Sequence, residues 1–256
     1  MTSRTAGDRL ESNRPLVRDE FGRVARDFAE RTRGRFDDLD VVRFSRASPG
    51  ATILEIGAGT GNFLSLFAPL RGVLVGADLT PEMLVEARRR HPELHLVLAD
   101  GLALPIPSRS VDLATSAQML HHVTEPLPVL MELRRIVRDS GKVLIVDQAA
   151  PEHFEEAVAM TELETVRDPS HAASRPPSAF RVLLQAAGLR VVDERIVSAR
   201  QRFSNWMRAG EFALERIEAV LDFIARRGHE TGMDFAREGD EYVFTRRRIM
   251  LLAERA

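Results

Sequence analysis

The stretch Ile53-Leu54-Glu55-Ile56-Gly57-Ala58-Gly59-Thr60-Gly61 joins a short apolar run to a turn with glycine at three alternate positions. Residues 51–56 have the pattern of a buried strand and residues 62–68 that of a helix, so the turn connects the two. Glycine there permits a positive φ and lets a ligand approach bare backbone. A strand, a glycine turn and a helix in this order are typical of sites for nucleotide-like ligands.

Outward from this turn, apolar runs alternate with helical segments from residue 50 to about residue 200. The runs are short and almost continuously apolar, which is the pattern of parallel strands buried on both faces. The sequence therefore predicts an α/β fold with a doubly wound, mostly parallel sheet of seven strands. The predicted strands cover residues 51–56, 72–77, 94–98, 111–115, 142–146, 191–197 and 242–253.

The domain organisation follows from the segments outside this alternation. We predict a frayed, disordered start over residues 1–20, which lack the apolar core of a signal peptide, and a single domain over residues 21–256. Residues 21–46 are predicted to form a helical cover, because Phe21, Val24 and Phe28 recur on one side of a helix. Residues 152–177 and 203–227 follow the fifth and sixth strands and therefore begin at the ligand-binding edge of the sheet. We expect both insertions to form lids.

The composition excludes several classes of function. The 256 residues contain no cysteine, which removes disulfides, thiolate nucleophiles and cysteine zinc sites, and we predict no metal site. The formal net charge of -2 lacks the basic surplus of a nucleic-acid-binding protein. No apolar stretch approaches the roughly 18 residues that a membrane span needs. We expect a cytoplasmic monomer or homodimer acting on a small molecule.

Acidic residues at the ends of the first three strands narrow the choice of ligand. Asp78 ends the second strand, where a carboxylate can bind both ribose hydroxyls, although this placement suits dinucleotide enzymes equally well. The nicotinamide-dinucleotide fingerprint requires glycine at its sixth position, and that position is Asn62. Asp100, at the end of the third strand, can accept a hydrogen bond from an adenine amino group. Together with Glu55, these carboxylates favour an adenosine ligand other than a dinucleotide, and a nicotinamide oxidoreductase stays a remote alternative.

An ordered series of segments within residues 51–148 resembles the cofactor-binding half of class I S-adenosylmethionine-dependent methyltransferases, which have a Rossmann-like fold. The resemblance is to the small-molecule branch that includes the ubiquinone and menaquinone methyltransferases. A looser likeness to other members of that branch continues through residues 168–171 and 184–188. The segments that carry the main resemblance are residues 53–61, 76–84, 99–101, 110–113 and 120–123.

The resemblance implies S-adenosylmethionine as cofactor and S-adenosylhomocysteine as product. It implies that the glycine turn runs beside the methionine part of the cofactor, that Asp78 binds the ribose and that Asp100 binds the adenine amine. Met83 would pack on the adenine, and the residues after the fourth strand would approach the methionyl amine and sulfonium. The full implied set is Glu55, Gly57, Ala58, Gly59, Gly61, Asp78, Leu79, Met83, Asp100, Gly101, Leu102, Ser116 and Ala117.

His121 and His122 are the predicted catalytic residues, because histidine titrates in the range useful for a general base. Adjacent side chains point in different directions, so we expect one of them to face the pocket and favour His121. The alternative is a histidine that caps the next helix or binds backbone. Substrate contacts are predicted for the end of the fifth strand and for the inserted lids, with Phe154 and Phe203 as possible apolar lining. The predicted substrate residues are Asp147, Gln148, His153, His171 and Trp206.

These features together predict methyl transfer to a small, partly apolar acceptor, with O- or C-methylation favoured over N-methylation. Two alternatives stay open at the level of the sequence. One is a methyltransferase that acts on a protein or RNA target, which would need a large exposed patch or a basic groove. The other is a non-catalytic S-adenosylmethionine-binding partner of another enzyme, which would show an intact cofactor site beside a closed substrate pocket.

Overall fold

The computed structural model describes residues 6–207 and 212–256. Its strands are Thr52–Ile56 (β1), Val73–Asp78 (β2), His95–Leu98 (β3), Val111–Ala117 (β4), Val137–Gln148 (β5), Leu189–Arg202 (β6), Ala236–Glu238 (β7) and Glu241–Arg255 (β8). They form one sheet in the order β3-β2-β1-β4-β5-β8-β6, and β7 pairs with β8. β1 to β5 are parallel to one another, and β8 runs antiparallel to β5 and to β6. The predicted doubly wound, mostly parallel sheet is confirmed, with β7 as one additional short strand.

The central strands of the sheet are buried on both faces. Successive residues of a strand point to opposite faces, so Leu54 and Ile56 pack in one buried cluster and Ile53 packs in the other. The same alternation continues in β5, where Val143 joins the first cluster and Leu144 the second. This two-sided burial explains why the strands are recognisable in the sequence as continuous apolar runs.

Helices cover both faces and the carboxyl edge of the sheet. The predicted helix after the glycine turn is a 3-10 helix that includes Pro69, which has no N–H to donate to a longer ladder. The α-helices are Ala6–Arg31 (α1), Val41–Ser45 (α2), Pro81–Arg90 (α3), Pro126–Ile136 (α4), Phe154–Arg167 (α5), Pro177–Ala186 (α6), Phe203–Met207 (α7) and Leu214–Arg227 (α8). The 3-10 helices are Leu64–Leu70, Leu120–His122 and Gly228–Glu230.

The N-terminal region differs from the sequence prediction in two respects. A frayed start through residue 20 is wrong for residues 6–20, which belong to α1; residues 1–5 lie outside the described residues. Asn13 anchors this part of α1 by donating its amide to the carbonyl oxygens of His122 and Ser170. The predicted helical cover over residues 21–46 is also not continuous, because Gly34 has a φ of 70° and the chain turns there between α1 and α2.

The two inserted segments pack against each other beside the carboxyl edge. α5, α7 and α8 share a third buried cluster, to which they contribute Leu163, Trp206 and Ile224 respectively. Residues 208–211 of the second insertion lie outside the described residues. In the parts of the chain that the structure describes, no helix combines the length and the apolar character needed to cross a membrane.

Candidate functional site

A cavity of about 270 Å³ opens at the carboxyl ends of β1, β2 and β4, which is the ligand-binding edge of an open α/β sheet. Its volume lies at the lower end of the range for small-molecule sites. The loop after β3 and the inner face of α1 complete its walls. Most of the cofactor residues named above line it, namely Glu55, Gly57, Ala58, Gly59, Asp78, Leu79, Met83, Asp100, Gly101, Leu102 and Ala117.

Two residues of the expected cofactor set do not line the cavity. Gly61 has a φ of 79°, and a Cβ added there would lie 2.7 Å from a methyl carbon of Leu94. This glycine is therefore required by backbone conformation and packing. Ser116 is buried within the sheet, and its Oγ has no hydrogen-bond partner among the described residues.

The carboxylate of Asp78 fixes the glycine turn. Its Oδ2 accepts the N–H of Gly59 at 2.7 Å, and its Oδ1 accepts the N–H of Thr80 at 2.8 Å. Asp78 also lines the cavity, so the same carboxylate faces a ligand placed there. Gly59 has a φ of 53°, and a Cβ there would meet nothing within 4 Å, so bare backbone faces open space. The turn thus presents backbone and an oriented carboxylate to the same ligand.

Buried carboxyl groups make this end of the cavity suited to a ligand with positive charge. Burial raises the pKa of Asp78, and burial together with the neighbouring Asp78 charge raises the pKa of Glu55 well above its usual value. Oε2 of Glu55 is enclosed without a hydrogen-bond partner among the described residues. A cationic ligand would favour the ionised form of both groups and satisfy the free acceptor.

Asp100 links the loop after β3 to the N-terminal helix. Its Oδ1 accepts the N–H of Leu102 at 3.0 Å, and its Oδ2 lies 3.0 Å from a guanidinium nitrogen of Arg14. Both partners border the cavity. Arg14 is a site residue that sequence reasoning missed, because nothing in the polar N-terminal sequence indicates that it folds back over the sheet.

The histidine pair occupies the 3-10 helix Leu120–His122, and only one ring borders the cavity. The expectation that His121 faces the pocket is wrong, since His122 lines the cavity and His121 does not. His121 is instead held by Asp147 at the end of β5, whose carboxylate lies 2.5 Å from Nδ1 and 3.3 Å from the backbone N–H. Burial and the neighbouring His122 and His171 lower the pKa of His121 well below its usual value.

Hydrogen bonds define the tautomer of His122. Its Nδ1 lies 3.1 Å from the carbonyl oxygen of Ser170, which only accepts, so Nδ1 carries the hydrogen. The hydroxyl of Ser170 in turn donates to Asp168 at 2.6 Å. Burial alone would raise the pKa of Asp168, but the charges of His122 and Arg167 and the bonds from Ser170 lower it to about 2. Nε2 of His122 is left with a free lone pair and no hydrogen-bond partner among the described residues.

None of the predicted substrate residues lines the cavity. Asp147, Gln148 and His171 lie together behind the histidine pair, with the His171 ring centroid 5.5 Å from that of His121. His153 is exposed at the start of α5, away from the others. Trp206 packs against Phe244 in the third buried cluster, as does Phe203. Phe154 is 78% exposed, so the expectation that it lines an apolar pocket is wrong.

The buried His171 predicts a loss of stability in mild acid. Burial lowers its pKa to about 4, so between pH 6.5 and pH 4 the unfolded chain binds a proton that the folded chain excludes. The free energy of unfolding should therefore fall through this window, by up to about 3 kcal/mol from this residue. Urea unfolding of the wild type and of His171→Asn at pH 7 and pH 4.5 measures the effect.

Other groups also titrate here, so the difference between the two proteins is the quantity to compare. The raised pKa values of Glu55, Asp78 and Asp147 act in the opposite direction and are common to both proteins. His171→Asn should show the shallower loss on acidification. Equal losses in both proteins would contradict the prediction.

Comparison with known proteins shows which proteins this chain resembles in sequence and in fold. Residues 54–145 match a family model described as a methyltransferase domain. The chain is 26% identical over 183 residues to the uncharacterized methyltransferase YcgJ of Bacillus subtilis, covering 70% of this chain and 72% of that protein. The crystal structure of the YcgJ protein matches with a TM-score of 0.76 and 21% identity, covering 84% of this chain and 97% of the other. This structural likeness concerns the fold.

A second curated relative is a named biosynthetic enzyme. The ubiquinone/menaquinone biosynthesis C-methyltransferase UbiE of Shewanella frigidimarina is 30% identical over 128 residues. The alignment covers 46% of this chain, and the chain spans about half, 51%, of that relative. The similarity is therefore to part of the relative's length.

Proposed function

We propose that this chain, which belongs to the class I S-adenosylmethionine-dependent methyltransferases, transfers a methyl group to a small, partly apolar acceptor through the cavity described above. The observation that carries the proposal is the composition of that cavity. One end offers bare glycine backbone and oriented carboxylates, and the other end offers the free Nε2 of His122. A cofactor site and a candidate base thus share one enclosed space.

The cofactor end fits S-adenosylmethionine in shape and charge. Asp78 is oriented to accept the two ribose hydroxyls, and the bare backbone of Gly59 leaves room for a ligand beside it. The unpaired Oε2 of Glu55 suits a ligand that carries an ammonium group. Bound there, S-adenosylmethionine supplies an electrophilic methyl group on a sulfonium. The contribution of these residues is to hold the donor in a fixed orientation, which can account for a large share of the rate enhancement.

His122 is positioned to remove the proton of the acceptor. Ser170 accepts from its Nδ1, so the lone pair of Nε2 is available to take a proton from a hydroxyl or from an acidic carbon. Nε2 of His122 would take the proton that the acceptor loses on methylation and would hold it as an imidazolium. The ionised Asp168, linked through Ser170, stabilises the resulting imidazolium.

The remaining walls support an acceptor that is partly apolar. Phe21, Phe28 and Phe36 all border the cavity, and the Phe21 ring lies edge-on to His122 with a centroid distance of 5.0 Å. Aromatic walls with a few placed polar groups are usual for small-molecule sites. A base beside an apolar wall favours O- or C-methylation, and the partial similarity to the C-methyltransferase UbiE supports the same choice.

The proposal is tested by methyl-transfer assays on the full chain. Labelled S-adenosylmethionine is incubated with a panel of phenols, quinols, carboxylic acids and amines, and S-adenosylhomocysteine release is measured. Turnover with a phenol or a quinol is the expected result. Calorimetric binding of S-adenosylmethionine without turnover on any panel member would favour a non-catalytic binding partner, and binding of NAD alone would overturn the assignment.

A further inference from the structure

A group of polar side chains, which we call the polar lid cluster, lies between the end of β5 and the inner face of the α5 lid. A continuous hydrogen-bonded chain runs through it. Arg246 donates to Oε1 of Gln148 at 3.2 Å, Nε2 of Gln148 lies 3.3 Å from Oγ of Ser174, and that hydroxyl lies 3.1 Å from Nε2 of His171. The cluster consists of Gln148, Glu164, His171, Trp206 and Arg246.

Several enclosed polar atoms of the cluster have no hydrogen-bond partner among the described residues. These atoms are Oε1 of Glu164, Nδ1 of His171, Nε1 of Trp206 and Nε of Arg246. Buried polar groups are nearly always paired, so a group of unpaired atoms in one place indicates that a ligand completes the site. Glu164, His171 and Trp206 are each less than 8% exposed, so bulk water does not satisfy them.

The unpaired set consists mostly of donors. Ser174 accepts from Gln148. When its hydroxyl donates to Nε2 of His171, the hydrogen of the neutral His171 ring lies on Nδ1. The indole N–H of Trp206 and the Nε–H of Arg246 are donors as well. Three donors therefore face a single unpaired acceptor, and the ligand group that fits them is rich in acceptor oxygens.

The charges of the cluster favour an anion. Glu164 is already committed to Arg167, whose Nε lies 2.8 Å from its Oε2. Arg246 has no carboxylate within 4 Å among the residues that the structure describes. The charges of Glu164 and Asp147 act on it from farther away, and Asp147 binds His121. A guanidinium that is largely removed from water and lacks a carboxylate partner is costly, and a ligand carboxylate would relieve that cost.

The cluster lies behind the reactive end of the cavity. The ring of His171 is 6.3 Å from that of His122, which borders the cavity. Gln118 also borders the cavity, and its Nε2 is a further enclosed donor without a partner among the described residues. None of the cluster residues lines the cavity, so a methyl acceptor held at His122 must extend past that ring to reach the cluster.

From these contacts we propose that the polar lid cluster binds a carboxylate of the methyl acceptor, so that the substrate class is a small hydroxy acid with an apolar body. The carboxylate pairs with Arg246 and accepts from His171 and Trp206, while the hydroxyl meets His122. This inference rests on the proposed methyl transfer, because it assigns the acceptor of that same site.

Calorimetry on the full chain saturated with S-adenosylhomocysteine tests the proposal. The probes are 4-hydroxyphenylacetate and 3-(4-hydroxyphenyl)propanoate, each compared with its neutral primary amide. We expect at least one acid to bind and its amide to bind at least about 10-fold more weakly, since a neutral amide cannot form an ion pair with Arg246. Arg246→Gln should weaken acid binding by a similar factor and leave S-adenosylhomocysteine binding unchanged.

Matched controls separate the outcomes. Arg200→Gln removes an exposed arginine that pairs with Glu238, and it should leave acid binding unchanged. If Arg246→Gln does not fold, Trp206→Phe removes only the indole N–H and should still weaken acid binding. Equal binding of acid and amide, or no binding of either acid, would overturn the carboxylate site while S-adenosylhomocysteine binding still upholds the proposed function. Loss of that cofactor binding in the wild type would overturn the proposed function instead.

Discussion

Replacement of His122 by asparagine lowers kcat by about 10²- to 10⁴-fold, the usual contribution of a positioned general base. Asparagine retains an N–H that can donate to the carbonyl oxygen of Ser170, as Nδ1 does in the wild type. It has no lone pair of comparable basicity to take the acceptor proton, so the loss falls on the chemical step. The measurement is kcat with the best acceptor from the panel.

His121→Asn is the matched control for this prediction. His121 lies one residue away and is buried against Asp147, and it does not border the cavity. Its replacement should leave kcat close to the wild-type value, and both variants should bind S-adenosylhomocysteine as the wild type does. A wild-type kcat in the His122 variant would contradict the assignment and leave alignment of donor and acceptor as the source of catalysis. A loss of kcat in the His121 variant alone would transfer the role to His121.

The part of the site that follows from the sequence is the part built at strand ends. Parallel strands bring their carboxyl ends to one edge, so Gly57, Asp78 and Asp100 meet there once the strands are recognised. The apolar runs identify those strands because the central strands of the sheet are buried on both faces. A short-range pattern therefore determines a long-range arrangement.

The remainder of the site depends on contacts that no local pattern records. Asn13 reaches the carbonyl oxygen of His122 across 109 residues of sequence, and Arg14 reaches Asp100 across the mouth of the cavity. The choice between the two histidines has the same origin. It is made by Asp147 and by Ser170, which approach from β5 and from the loop after α5 respectively. The sequence identifies both histidines as candidates, but their hydrogen-bond partners are known only from the folded structure.

Replacement of Asp78 by alanine weakens S-adenosylmethionine binding by about 10²- to 10⁴-fold. Two hydrogen bonds from ribose hydroxyls to a carboxylate contribute about 1.5–3 kcal/mol each, and both would be lost. The variant also leaves the N–H groups of Gly59 and Thr80 without their acceptor, which loosens the turn that presents bare backbone to the ligand. Calorimetric titration with S-adenosylmethionine at pH 7.5 measures the loss, and Asp78→Asn, which keeps one acceptor oxygen, should give an intermediate value.

The acid Asp112 provides the control, because it plays a comparable structural role at the opposite edge of the sheet. Its Oδ2 accepts the N–H of Thr52 at 2.8 Å, and it does not border the cavity. Asp112→Asn should therefore bind the cofactor normally, even if its melting temperature falls.

Since burial raises the pKa of Asp78, cofactor binding to the wild type should also weaken as acidification protonates this carboxyl, and the Asp78→Ala variant should lose that part of the pH dependence. Unchanged affinity in Asp78→Ala would mean that the ribose is held elsewhere, and the glycine turn would then lose its assigned partner.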